Sequence, residues 1–204
     1  MLHRGTIEVG VIENFPWAYG EKAHYRGVEV TLIQAWSQQL GIKPVWHSLE
    51  REKALIALKN GILDVVIGGL TDDSPWKKEV TLTHCFYEEN FYVGLSFHNV
   101  LNAKNHPKVA VDSFSFLMPY LQKNHFSPIR AMNPYQTSLP VADSEWRLKE
   151  NRLVPKEFLT ERKHVMAIMN GENLLLTKLE AFLGTATSEI PDLLRKEGNY
   201  GNFN

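Results

Sequence analysis

Apolar and polar positions along the first half of the chain follow two alternating periods. Three short segments are apolar on every second position or throughout, which predicts β-strands; they are residues 6–12, 43–47 and 63–67. Between them, residues 28–40 and 49–60 carry apolar side chains at helical spacing, and these segments end at Gly41 and Gly61. Strands that alternate with helices in this order predict parallel pairing.

The second half shows the same alternation on a smaller scale, after a polar run at 97–107 that predicts a boundary. Predicted strands are residues 91–95, 108–111, 127–131, 139–142 and 164–168. Predicted helices are residues 115–124, 173–183 and 188–196. Residues 143–151 fit either a helix or a loop. Pro119 either kinks its predicted helix or lies in the first turn.

Composition excludes several classes of protein. The chain has 204 residues, 44% of them hydrophobic, which is enough for one domain or two small lobes. A formal net charge of -1 argues against nucleic acid or an anionic membrane as a partner. Cys85 is the only cysteine, so no disulfide forms within the chain, and we expect it to be buried. The histidine spacing shows no metal-binding motif, and no apolar run is long enough to span a bilayer.

The corner from Gly61 to Trp76 concentrates features of a ligand site. A buried strand ends at Gly68-Gly69, and Ser74-Pro75 then predicts a helix start. We expect backbone N–H groups to face outward here, at the carboxyl end of a parallel strand, where open α/β sheets bind ligands. The alternative is an ordinary strand–loop–helix corner.

The order of motifs resembles the type 2 periplasmic solute-binding proteins of family 3, which include the amino-acid-binding components of ABC transporters. The matching segments are Ile7-Glu8-Val9-Gly10-Val11, Pro16-Trp17-Ala18-Tyr19, Gly27-Val28-Glu29-Val30-Thr31-Leu32, Leu40-Gly41-Ile42-Lys43-Pro44-Val45, Ala57-Leu58-Lys59-Asn60-Gly61-Ile62-Leu63-Asp64, Gly69-Leu70-Thr71, Lys108-Val109-Ala110-Val111 and Gly171-Glu172-Asn173. The resemblance covers nearly the whole chain, more weakly in the middle.

This resemblance implies an α/β fold of two lobes, each a mostly parallel sheet flanked by helices, joined by two crossover strands that act as a hinge. The large lobe would be discontinuous, residues 1–93 and 168–204, and the small lobe residues 94–167. A late helix should then pack beside the first one. The ligand would lie between the lobes.

The resemblance also selects site residues. Gly69 and Thr71 fall in the family's Gly-x-Thr motif, and Trp17 falls where the family stacks an aromatic ring on its ligand, unless it is a core tryptophan. Glu13 either faces the same site or caps its loop. Trp76 stands where amino-acid binders carry the arginine that holds the ligand carboxylate.

In the small lobe, the family's Gly-Ser-Thr becomes Phe114-Ser115-Phe116, which keeps only Ser115. Asp143 is the candidate for the acid that holds a ligand ammonium, and Glu145 is its rival. Because Trp76 removes a fixed positive charge, we expect a neutral or cationic ligand. The rival explanation is that Arg26, His84 or Arg130 replaces the arginine.

The expected function is extracytoplasmic: binding a small polar molecule and delivering it to the membrane permease of an ABC transporter. We expect a monomer in the periplasm with no cofactor, no metal and no catalytic residues, although no signal peptide is visible in the chain. Two alternatives are an enzyme on the same scaffold, of the cyclohexadienyl dehydratase type, and a ligand-sensing domain.

Overall fold

The computed structural model describes residues 5–21, 24–96 and 107–201. The chain divides into two compact units, the first made of Met1–Glu88 with Lys163–Asn204 and the second of Glu89–Arg162. Both boundaries lie five residues before the predicted ones. Helices and strands alternate in both units, and the polar run predicted to mark a boundary lies almost wholly outside the described residues.

The strands of the described residues, in chain order, are β1 Thr6–Val11, β2 Lys43–Ser48, β3 Val65–Thr71, β4 Thr81–Leu82, β5 Tyr87–Leu95, β6 Lys108–Asp112, β7 Ser127–Ala131, β8 Val141–Ser144 and β9 Val154–Ile168. The α-helices are α1 Val28–Leu40, α2 Arg51–Lys59, α3 Met118–Lys123, α4 Glu145–Glu150, α5 Asn173–Ala186 and α6 Ile190–Gly201. Short 3-10 helices span Pro75–Lys78, Pro134–Gln136 and Thr187–Glu189.

The strand order of the first unit is β2-β1-β3-β9, and β4 also pairs with β9. β1 is parallel to both β2 and β3, as the alternation of strands and helices predicted. β9 returns antiparallel to β3, so this edge of the sheet is mixed. The two-residue strand β4 was not predicted, because it is too short to show a period.

Helix α1 supplies much of the core of the first unit. Its buried apolar stripe is Val28, Leu32, Ile33 and Trp36, at the predicted helical spacing. Gly41 ends the helix with φ 68°, and its N–H bonds to the carbonyl of Gln38. Both α5 and α6 contact α1, which confirms that late helices pack beside the first one.

The strand order of the second unit is β5-β8-β6-β7. β6 is parallel to β7 and β8, whereas β5 is antiparallel to β8. Its core packs α3 against the inner face of the sheet; the buried members include Phe91, Val109, Val111, Leu117 and Leu121. Pro119 lies in the first turn of α3, one of the two predicted positions.

The helix start predicted at Ser74-Pro75 is confirmed: the Ser74 side chain accepts from the backbone N–H of Trp76, and Pro75 begins the 3-10 helix Pro75–Lys78. This helix is a single short turn, because the chain returns within a few residues to pair β4 with β9. The strand predicted at 139–142 is β8, which lies two residues later, at Val141–Ser144, because β5 pairs with it as far as Ser144. The expectation that Cys85 is buried was wrong: Cys85 is exposed, whereas the next residue, Phe86, is buried.

Candidate functional site

A bulge interrupts β3 at Gly68 and Gly69. Val66 pairs with Ala167 of β9, but the next pair is Leu70 with Val165. Between these two pairs, β3 therefore contains two more residues than β9. Both glycines have positive φ, 133° and 67°. Bulges of this kind redirect the strand that follows, and they occur often next to binding sites.

The N–H groups of both bulge glycines point to one buried carboxylate. Oε2 of Glu29, in the first turn of α1, accepts from the N–H of Gly68 at 2.5 Å and from that of Gly69 at 3.1 Å. Nδ2 of Asn14 donates to the carbonyl of Gly68 at 3.1 Å. The expectation that these N–H groups face outward was therefore wrong, because Glu29 replaces the acceptors that β9 no longer provides.

Glu29 is fully buried. Desolvation raises the pKa of its carboxyl, and this is opposed by the charge of His164, the two glycine N–H groups and the charge of Arg51. Within the described part of the chain, Oε1 of Glu29 is buried without a hydrogen-bond partner. Burying a carboxyl oxygen without a hydrogen-bond partner costs free energy. The two hydrogen bonds that Oε2 accepts offset part of this cost.

Trp17 lies against this corner rather than on the surface. Its side chain is only 3% exposed, and its ring stacks on His164 with centroids 3.8 Å apart. Tyr87 lies on it at 5.8 Å in a tilted arrangement. The structure thus places Trp17 among aromatic rings of its own unit, and a ligand contact by this residue remains a prediction.

Thr71 is the last residue of β3, two residues after Gly69. It is half-buried and pairs with His164 of β9, and its hydroxyl donates to a carboxylate oxygen of Asp73. Glu13 is exposed in the loop after β1. Thr71 and Glu13 are therefore at least partly accessible to solvent. The N–H of Gly69, in contrast, donates to the buried Glu29.

Trp76 lies in the 3-10 turn after β3. Its backbone N–H donates to the Ser74 hydroxyl at 3.4 Å. The residue is half-buried, and its side chain packs against an apolar cluster of the first unit. The buried members of that cluster include Ile12, Leu55, Leu58, Leu70 and Val80. Trp76 thus anchors the turn to the apolar core of its unit, and a ligand contact by this residue stays a prediction.

In the second unit, Ser115 belongs to a tight turn after β6. Its hydroxyl accepts from the N–H of Leu117 at 3.2 Å, and Arg130 donates to the carbonyl of Ser113 at 3.0 Å. Phe114 is 89% exposed. The sequence analysis named Arg130 as a possible replacement for the missing arginine, and the structure places it beside the turn that carries Ser115.

Asp143 lies in β8, and its two carboxylate oxygens are both engaged within the second unit. Tyr135 donates its hydroxyl to Oδ2 at 2.8 Å, the N–H of Ser144 donates to Oδ1 at 2.7 Å, and Arg147 lies 3.8 Å away. Burial raises the pKa of Asp143, and Arg147 opposes the shift. The rival acid Glu145 is paired with Lys149 at 2.5 Å.

Glu29 and Tyr135 were not among the residues selected from the sequence. Glu29 had a visible signal: it lies three and four residues before Leu32 and Ile33, so an acid stands on the buried face of α1. Tyr135 had none, because its contact with Asp143 depends on how a loop folds back onto β8.

The described residues hold no group of three His, Cys, Asp or Glu side chains placed to bind a metal ion. No helix in the described part of the chain is both long and apolar enough to cross a membrane.

Known proteins resemble this chain in sequence and in fold. A probable histidine-binding protein of Campylobacter jejuni is 26% identical over 102 residues, which are 49% of this chain and 40% of that protein. The structure superposes on an ancestral cationic amino acid solute-binding protein with a TM-score of 0.76, 19% identity and 96% of both chains covered. It superposes on the unliganded, open L-cystine solute receptor of Neisseria gonorrhoeae with a TM-score of 0.73 and 15% identity, covering 98% of this chain and 95% of the receptor.

These two structural neighbours show the fold, which is that of the type 2 periplasmic binding proteins. The sequence model of the bacterial extracellular solute-binding proteins, family 3, matches residues 7–189, nearly the whole of the chain. The chain belongs to that family of solute-binding proteins.

Proposed function

We propose that this protein binds a small polar molecule outside the cytoplasm and delivers it to the permease of an ABC transporter. The observation that carries the binding function is the family match over residues 7–189. No catalytic step is needed for this function. Periplasmic location and a monomeric state are part of the same proposal.

We infer further that the ligand is neutral or cationic. The argument rests on Trp76, which stands where amino-acid binders of the family have an arginine. An indole has one N–H donor and no charge, so it cannot form the two-pronged contact that a guanidinium makes with a carboxylate. Its accessible face attracts cations and flat rings instead.

The charges around the corner after β3 favour the same ligand class. Glu13 is exposed in the loop after β1, and Asp72 and Asp73 are exposed directly after Thr71. A local excess of exposed carboxylates attracts a cation and repels an anion. The names of two relatives, a histidine-binding protein and a cationic amino acid binder, support this class.

A replacement for the missing arginine is the competing explanation. Arg130 donates to the Ser113 carbonyl, His84 has a side chain 91% exposed beside Glu180, and Arg26 is exposed. Of the three, Arg130 has the best case, since its guanidinium lies beside the turn that carries Ser115. An Arg130→Ala variant separates the two explanations. If Arg130 replaces the missing arginine, the variant no longer binds an ordinary carboxylate ligand. If the ligand is cationic or neutral, as we propose, its binding is unchanged in the variant.

Calorimetry with the common amino acids, polyamines and quaternary amines tests the proposed ligand class. We expect binding of a cationic or neutral compound, weakened about tenfold or more by Trp76→Ala. The matched control is Trp46→Ala, a half-buried tryptophan on β2 that contacts Tyr25. Micromolar binding of glutamate or glutamine that Trp76→Ala leaves unchanged would contradict the proposal.

The enzyme alternative is separated from binding by recovering the ligand. A bound compound raises the free energy of unfolding by RT ln(1 + [L]/Kd), and hence the unfolding temperature, whether or not it reacts. Recovery of the same compound after incubation supports binding without catalysis, whereas conversion, as by a cyclohexadienyl dehydratase, supports the enzyme. Loss of ligand uptake by the source cells after deletion of the gene would distinguish delivery to a permease from sensing.

A further inference from the structure

The bulge in β3 decides which residue of β3 lies at the exposed end of the strand. Without the two extra residues, Thr71 would be displaced along β9 by two positions, roughly 7 Å at the rise of a β-strand. With them, Thr71 lies opposite His164. The bulge therefore sets the position of Thr71, which was selected from the sequence as a ligand-site residue.

The conformation of the bulge depends on a buried acceptor. Gly68 and Gly69 turn their N–H groups away from the β9 ladder, and both donate to Oε2 of Glu29. The left-handed backbone at Gly69 leaves no room for a side chain, because a Cβ there would meet Nδ2 of Asn14 and would approach Cδ1 of Trp17 to 2.8 Å. Among the described residues, Oε2 of Glu29 is the acceptor for both of these N–H groups.

Glu29 is held in place by the start of its helix. The N–H groups of Val28 and Glu29 donate to the carbonyls of Pro16 and Trp17, at 3.0 and 2.9 Å. At Gly27 a Cβ would meet those same two carbonyl oxygens, so the loop and the helix start are in close contact. Hydrogen bonds of Glu29 therefore link the start of α1 to two other segments: its backbone N–H donates to the loop carrying Trp17, and its side chain accepts from the bulge.

We propose that Glu29 is a positioning residue for ligand binding: its carboxyl oxygen Oε2 holds the Gly68–Gly69 bulge and thereby sets Thr71 opposite His164. This proposal rests on the proposed function and on Thr71, which was selected from the sequence as a ligand-site residue, contacting that ligand. Glu29 itself is fully buried and does not touch the ligand.

Three variants test the proposal. Glu29→Ala removes the acceptor, and Glu29→Gln keeps one side-chain oxygen that can accept from the two N–H groups. Ile33→Ala is the matched control, because Ile33 is fully buried on the same helix but contributes no hydrogen bond to the bulge. The first readout is the cross-strand NOE between Thr71 and His164 in the unliganded protein.

We expect Glu29→Ala to lose that NOE, whereas Glu29→Gln and Ile33→Ala keep it. Affinity for three probes, L-histidine, L-arginine and spermidine, should fall at least tenfold in Glu29→Ala and stay within about threefold of wild type in the other two variants. A retained NOE in Glu29→Ala would overturn the proposal. So would a loss of affinity in Ile33→Ala as large as in Glu29→Ala.

A measurement on the wild type covers the case in which Glu29→Ala does not fold. The amide protons of Gly68 and Gly69 should titrate with the same midpoint as the Glu29 carboxyl carbon, with His164 and Arg51 as the other charged groups that act on this carboxyl. Independent midpoints would overturn the proposal. If the wild type binds none of the three probes, the proposed ligand class fails, and the NOE still decides the role of Glu29.

Discussion

The indole ring of Trp17 lies on the imidazole ring of His164, with centroids 3.8 Å apart and planes inclined by 29°. The two side chains are 3% and 2% exposed. This stack joins the loop after β1 to the strand β9, next to the bulge that Glu29 holds. An aromatic residue selected as a ligand contact is thus also part of the core of its unit.

Trp17→Ala should therefore act mainly on stability. Removing a buried tryptophan leaves a cavity and an unstacked imidazole, so we expect a loss of about 3–5 kcal/mol in the free energy of unfolding. Trp17→Phe should lose less, since a ring remains. Urea unfolding followed by circular dichroism measures this; a loss below about 1 kcal/mol for Trp17→Ala would show that the ring is dispensable for the core.

Two glycines with the same backbone angle separate conformational strain from crowding. Gly41 and Gly69 have φ of 68° and 67°, but a Cβ on Gly41 meets nothing within 4 Å. We expect Gly41→Ala to cost about 1 kcal/mol, the strain of a left-handed residue. Gly69→Ala should cost at least about 2 kcal/mol more, because its Cβ would collide with Asn14 and Trp17. Thermal unfolding of both variants measures the two losses in the free energy of unfolding. Equal losses would contradict the predicted collision of a Cβ at Gly69 with its neighbours.

The raised pKa of Glu29 predicts the pH dependence of stability. Between the ordinary pKa of a glutamate, 4.5, and the higher pKa in the folded protein, the unfolded chain has lost the proton and the folded protein has kept it. The free energy of unfolding therefore falls as the pH rises above 4.5, by up to about 1.4 kcal/mol per pH unit for one group.

The stabilising contribution of Glu29 is thus fully present below pH 4.5 and is lost as the pH passes through the folded pKa. In Glu29→Gln this slope should be absent, while the slope from Asp143, whose pKa is also raised, remains in both proteins. Urea unfolding from pH 4 to 8 measures the difference between the two proteins. A difference that does not change with pH would show that Glu29 titrates normally.

Tyr135→Phe should destabilise the second unit. The variant removes the hydroxyl that donates to Asp143 at 2.8 Å and leaves a largely desolvated carboxylate oxygen with less support. A hydrogen bond to a charged group contributes about 1.5–3 kcal/mol, so we expect a loss in that range in the free energy of unfolding. Tyr120→Phe is the control: Tyr120 is 38% exposed, and its loss should stay within about 0.5 kcal/mol.

Local pattern was sufficient for much of the fold. The apolar stripe of α1 and the αL glycine that ends it were both visible in the sequence, since helical spacing and glycine are local signals. The parallel pairing of β1 with β2 and β3 followed from strands separated by helices. The order of short motifs along the chain predicted the family, which the match over residues 7–189 confirms.

Only the tertiary structure decided what lies at the corner after β3. From the sequence we predicted that the N–H groups of Gly68 and Gly69 face outward, because two glycines that end a buried strand before a helix start are typical of a ligand-binding corner. The acceptor that reverses them, Glu29, is about 40 residues away in the chain and reaches them only when α1 packs beside β3. Exposure of Cys85 and the contact between Tyr135 and Asp143 are of the same kind.

The physical reason is that spacing reports the sterics of neighbouring residues, whereas burial and hydrogen-bond partners depend on which distant segments meet. Residue type alone cannot distinguish an acid in water from an acid that is retained in the core by two backbone N–H groups. The sequence by itself therefore determined the elements, their order and the family. The tertiary structure decided the bulge in β3, the burial of Trp17 and Glu29, and hence which side chains are left accessible to a ligand.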